Sequence, residues 1–217
     1  MITSRTLNYF ILSVFLSFCS HSLASTYDVA AIEIDGLHQK NGNGDYDKII
    51  ASLESTKVLS PSAALKFFDS GKAECISPAN TDPNFYSYDF PVISSNSMFQ
   101  AKIYIYANDE VPNLASLSGK KVGIRKGMPY GNKIDNSGLN FIQARDIETN
   151  IKRLKDGKID AFIAYWPDSE QAFKNLDVRE LPHAKNSPLA VHDDQVVCRD
   201  TVKGKAIIQA INQKIDG

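Results

Sequence analysis

The sequence predicts an α/β architecture with largely parallel sheets. Apolar, strand-like runs alternate with segments of helical periodicity almost throughout, and the composition is that of an ordinary globular chain. The 217 residues are 43% hydrophobic and 23% charged. No internal repeat or low-complexity tract interrupts them. That length allows one large or two small domains. Lys+Arg 24 against Asp+Glu 25 gives a formal net charge of -1. A general nucleic-acid binder needs a basic footprint, and this balance excludes one.

The first 24 residues read as an export signal rather than as fold. Arg5 precedes an apolar run from Tyr9 to Phe18, and Ser22-Leu23-Ala24 fits the small-x-small cleavage rule. The run is too short for an ordinary membrane span, and Phe18 stands before Cys19 where a lipid-attachment signal needs a small residue. The expected mature chain begins at Ser25, in an oxidising compartment. Cys75 and Cys198 then remain, an even number that permits one disulfide. Closing so long a loop would constrain the unfolded state by roughly 4–5 kcal/mol in the chain-entropy model. Two buried thiols acting as small hydrophobes are the alternative.

Residues 27–34 form an apolar strand, followed by a Gly/Asn-rich loop. Tyr46, Ile49, Ile50 and Leu53 recur at helical spacing and predict a helix over 45–53. Ser60-Pro61 opens the next helix with a capping hydroxyl and a first-turn proline, and Gly71 stops it. A strand over 73–77 leads into a polar, aromatic loop, 80–89. The alternating Ile/Tyr-rich run 98–107 is a strand, 113–117 a short helix and 121–125 a strand. Asp146 caps a helix presenting Ile147, Ile151 and Leu154, closed by Gly157. Strands over 159–165, 178–181 and 195–199 and helices over 167–175 and 202–215 complete the pattern.

Three strings narrow the class. Gly71-Lys72-Ala73-Glu74 and its strand run toward Tyr88-Asp89-Phe90-Pro91. Next comes Leu117-Ser118-Gly119-Lys120-Lys121-Val122-Gly123-Ile124-Arg125-Lys126-Gly127, then Gly157-Lys158-Ile159-Asp160-Ala161. In this order and spacing the chain resembles the family 3 extracellular solute-binding proteins of ABC importers over residues 27–215. The resemblance implies a two-lobe periplasmic binding protein-like II fold. Each lobe would be a mainly parallel sheet flanked by helices, and two crossover segments would join them. Lobe one would comprise 25–97 plus 190–217, and lobe two 98–189. In such folds the strands carrying Cys75 and Cys198 lie side by side, so the resemblance favours a disulfide between them.

The sequence departs from that family at both of its charged anchors. The loop 80–88 holds no arginine to clamp an α-carboxylate. Tyr165 stands where an acidic residue would meet an α-amino group, with Trp166 beside it and Asp168 three residues on. A zwitterion would be poorly held without these partners. Tyr86, Tyr88, Tyr130, Tyr165 and Trp166 are candidates for an aromatic cleft, with Asn80, Thr81 and Asp168 as polar contacts; packing support is their alternative role. Arg125 and Gly127 belong to a glycine turn before a helix N-terminus, a setting that favours anions.

Other chemistries lack their companions. Ser118 and Lys121 have the spacing of a penicillin-binding nucleophile but sit at a glycine turn before a strand. No phosphate-binding loop occurs, and His38, His183 and His192 are scattered without ligand spacing. Glu33 and Asp35 could pair as acid and base, though a solvated strand end explains them equally. The expectation is a monomeric periplasmic solute-binding protein, neither enzyme nor metalloprotein, without a cofactor. It would close its lobes on a small solute other than a free amino acid, for an ABC permease or a membrane sensor. The alternative is a degenerate solute-binding scaffold acting as an interaction or signalling module in the cell envelope.

Overall fold

The computed structural model describes residues 27–217, and the expected export signal, with Cys19, lies outside them. The strands are β1 (Tyr27–Ile32), β2 (Thr56–Leu59), β3 (Ala73–Ala79), β4 (Val92–Ser94), β5 (Phe99–Tyr106), β6 (Lys121–Arg125), β7 (Asn140–Ala144), β8 (Ala161–Trp166) and β9 (Ala190–Arg199). The helices are α1 (Asp45–Ile50), α2 (Pro61–Asp69), α3 (Asn132–Asp135), α4 (Ile147–Lys155), α5 (Asp168–Asn175) and α6 (Val202–Ile215). The strand order is β2-β1-β3-β9-β5-β8-β6-β7, with β4 paired to β9. β1 runs parallel to β2 and β3, and β6 runs parallel to β7 and β8. The antiparallel pairs gather around β9 and β5 in the middle.

This order makes two lobes on one shared strand. The first half of β9 pairs with β5, Ala190 opposite Ile103 and Asp194 opposite Phe99. Its second half pairs with β3 and β4, placing Cys198 opposite both Cys75 and Ile93. Successive side chains of a strand point to opposite faces, so each sheet buries two apolar layers. In the first lobe Ala30, Ile32 and Ile76 pack with Ala64 and Phe68 of α2. Val29, Ala31 and Val196 face Ile207, Ile208 and Ile211 of α6 on the other side. Each such isoleucine contributes about 1.5–3 kcal/mol through burial. In the second lobe Ile103, Ile105 and Ile163 lie on one face, and Tyr104, Tyr106 and Phe162 meet α4 and α5 on the other.

Several local expectations change. Helix α1 ends at Ile50, three residues early, and 113–117 contains only a 3-10 turn, Ala115–Leu117. Ser60 precedes Pro61 as expected, but its hydroxyl makes no capping bond. Residues 178–181 are not a strand: the segment has no sheet partner. Strands β2 and β7, unforeseen, are the two edges of the sheet. Asp146 does cap α4, accepting the Thr149 N–H at 2.8 Å.

Cys75 and Cys198 form a disulfide. They are direct cross-strand partners on β3 and β9 with Cα atoms 4.0 Å apart, both fully buried. Replacing both cysteines by serine should lower unfolding free energy in urea by about 4–5 kcal/mol, the loop-closure contribution at this separation. Intact denatured protein should show no thiol at either position to an alkylating reagent.

Candidate functional site

In open α/β sheets ligands bind beyond the carboxyl ends of the parallel strands. Here those ends face one another across the lobes and leave a cleft of about 640 Å³. One wall is the chain after β1, residues 33–41, with Ser60 and Pro61 at the head of α2. The other is Arg125 at the end of β6, residues 145–148 at the head of α4, and Asp168 and Ala172 on α5. The volume suits a small solute.

The wall after β1 is built on one buried carboxylate. Asp47 accepts hydrogen bonds from the backbone N–H groups of Gln39 and Gly44, each 2.9 Å, and from His38 Nδ1 at 2.8 Å. Burial opposes its charge, but the His38 bond and the two backbone bonds outweigh it, and its pKa is lowered. Gly44 is required here, because a Cβ would lie 2.0 Å from the Leu37 carbonyl oxygen. The other ring nitrogen of His38 lies 2.9 Å from Ser77 Oγ. Burial lowers the His38 pKa despite Asp47. A neutral imidazole satisfies both contacts, donating Nδ1–H to Asp47 and accepting the Ser77 hydroxyl proton at Nε2. The Ser–His–Asp order is that of a nucleophilic relay. However, Ser77 and His38 are each 0% exposed, so no substrate reaches the hydroxyl and the relay braces the wall.

Direct bonds tie the lobes together. The Arg125 guanidinium donates to the Glu33 carbonyl across the cleft, and its Nε to the Arg145 carbonyl. Asn175 on α5 donates to Asp35, and Asn132 N–H donates to the Asn84 carbonyl at 2.8 Å. Gly127 has φ +80°, and a Cβ there would stand 2.0 Å from Ser62 Oγ on α2. Glu33 pairs with Lys40 at 3.0 Å and Asp35 accepts from Gln39, so these carboxylates serve the wall rather than each other.

The expected site residues separate into three groups. Arg125 and Asp168 line the cleft. Tyr130 and Tyr165 stack with ring centroids 5.5 Å apart inside the second lobe's core. Their oxygens are engaged: Tyr130 accepts the Arg125 N–H at 2.9 Å, and Tyr165 donates to the Pro129 carbonyl. Asn80 meets His192 at 3.1 Å, and His192 sits against both Phe85 and Tyr165. Tyr86, half-buried, stacks on Tyr88, whose hydroxyl donates to the Asn80 carbonyl. Thr81 is exposed on the same loop. Trp166 lies beside Phe99 and the Lys102 ammonium, lining a different hollow. Among the described residues no Phe, Tyr or Trp lines the cleft itself. Sequence reading missed His38, Asp47 and Asp194, whose partners are up to 148 residues away.

Two buried acids dominate the electrostatics. Burial raises the Asp168 pKa to about 6, with Arg125 and its own backbone N–H opposing. Burial raises the Asp194 pKa to about 7, against a 2.8 Å hydrogen bond from the Tyr46 hydroxyl, and the Asp168 charge adds to the rise. Among the described residues no group of three or more His, Cys, Asp or Glu side chains could hold a metal ion, and no helix is long and apolar enough to cross a membrane.

No family model matches the chain, and no curated protein does. Solved structures do match in fold. The GluR0 ligand-binding core in complex with L-glutamate superposes with TM-score 0.70 at 11% identity, covering 89% of this chain and 91% of that one. A GluR0 core from Nostoc punctiforme with L-glutamate gives 0.68 at 18%, covering 87% and 91%. A point mutant of arginine-bound ArgBP from T. maritima gives 0.64 at 16%, covering 88% and 95%. These are binding proteins by description, and the likeness establishes the periplasmic binding protein-like II fold.

Two outcomes follow from the geometry. Gly127→Ala combines a left-handed backbone with overlap onto Ser62, and should lower stability by about 1–3 kcal/mol in urea unfolding. Asp194 holds its proton in the native state from about its ordinary carboxylate range up to about pH 7. The unfolded chain releases it earlier, so this group's contribution to stability falls as pH rises through that window. Asp194→Asn removes that loss; its Tm relative to the parent should therefore rise between pH 4 and pH 8 in a calorimetric series.

Proposed function

We propose that the protein is an exported solute-binding protein whose lobes, divided at about 25–97 plus 190–217 and 98–189, close on a small solute. The observation that carries this reading is the 640 Å³ cleft between two lobes that share β9. The segment between β4 and β5 and the first half of β9 are the two crossovers about which the lobes would swing. Hinge closure shifts a population between open and closed forms, and a membrane partner reads the closed one. The partner would be an ABC permease or a sensor, and the compartment the periplasm, in keeping with the leader-like first 24 residues.

A free amino acid is a poor fit. The loop over 80–88 offers no arginine, and Tyr165 spends its hydroxyl on the Pro129 carbonyl. The solved relatives bind glutamate and arginine by description, so similarity of fold does not carry their ligands over. A second reading, a scaffold that contacts another envelope protein, draws support from the direct bonds of Arg125, Asn132 and Asn175, which hold the lobes together by themselves. Thermal shift against a broad solute library separates the two. At a hundred times its dissociation constant, a bound solute adds about 2.7 kcal/mol and a plainly visible rise in Tm. Small-angle scattering of the same mixture should show a smaller radius of gyration. Silence across the library would sink the solute reading and leave the interaction module.

A further inference from the structure

We infer, building on the solute-binding reading, that the cleft takes an organic cation, an amine without an α-carboxylate, with its ammonium seated on the Asp168 carboxylate. Asp168 is 9% exposed and lines the cleft. Among the described residues no other residue donates a hydrogen bond to its carboxylate; its own backbone N–H does, and the Arg125 charge stands near it. A carboxylate so deep in the protein and short of donors is matched by a ligand that brings N–H donors and positive charge.

The remaining carboxylates of the cleft are already engaged. Lys40 pairs with Glu33, Gln39 and Asn175 donate to Asp35, and Asn175 also reaches Glu148. Asp146 is spent on Thr149 and Arg145. The cations are engaged too. Arg125 donates to two backbone carbonyls, and Arg145, 93% exposed, leans away into solvent beside Asp146. Three helix N-termini point at the cleft and would by themselves favour an anion. Asp146 caps α4 and Glu170 follows Asp168 in the first turn of α5, while the first turn of α2 holds no acid. Asp168 is thus the carboxylate of the cleft to which no other side chain donates, with the Arg125 charge as its neighbour.

Isothermal titration of the whole exported chain at pH 8 tests this with matched probes: butylamine and diaminobutane, the neutral isosteres butanol and butanediol, glutarate, and L-glutamate with L-arginine. An amine should bind at least tenfold more tightly than its alcohol isostere, and glutarate should not bind. Asp168→Asn should weaken the amine by about 10–150-fold, the loss of a hydrogen bond to a charged group. The amine–alcohol comparison uses the unaltered protein, so the test stands even where the variant does not fold. Equal binding of amine and alcohol, or preferred binding of glutarate or an amino acid, overturns the cation assignment while leaving a solute-binding protein. Binding by none of these probes overturns the cation assignment, and the broad library then decides the solute reading separately.

Discussion

Everything in this molecule depends on β9 belonging to two sheets at once. A ten-residue strand that pairs with β5 over its first half and with β3 and β4 over its second fixes where each lobe sits. Because its neighbours run antiparallel to it while the outer strands run parallel to one another, both sets of parallel strands end at the same gap. The cleft is therefore a consequence of topology before any side chain is considered. The disulfide fastens the second half of β9 to β3, while β5 holds the first half.

The side chains then decide what the gap can hold. Tyr130 and Tyr165 lie in the second lobe's core with His192 and Phe85 against them, and both tyrosine hydroxyls are spent on the protein. The cleft is walled by a loop that Asp47 organises and by the heads of three helices. Rather than an aromatic box, the lobes enclose a cleft with a buried carboxylate beside an arginine that bridges them. The direct bonds of Arg125, Asn132 and Asn175 align the walls.

Much of the fold was legible because periodicity and punctuation agreed. Lys121–Arg125 and Val202–Ile215 were readable to the residue, since apolar spacing, a cap or a glycine marked each end. Thr56–Leu59 and Asn140–Ala144 escaped because edge strands bury little and carry no clean alternation. Residues 178–181 misled for the converse reason: valine and leucine bracket a short run without a neighbour to pair with. At the site, the family-like strings led to Arg125 and Asp168, which follow strand ends directly. They could not reveal the His38–Asp47–Ser77 relay or the Tyr46–Asp194 bond, because those contacts join separate elements and exist only once the lobe has closed around them.

The relay in the wall and the acids at the interface respond to acidity in opposite directions. Unfolded His38 gains a proton below its ordinary value near 6.5, which the buried native ring resists, so acidification draws stability out of the wall after β1. Asp168 and Asp194 are easier to bury when neutral, so alkalinity draws stability out of the contact between lobes. The two halves of the cleft thus have different weak seasons. Acid therefore weighs on the loop that His38 and Asp47 brace, and alkali on the burial of Asp168 and Asp194.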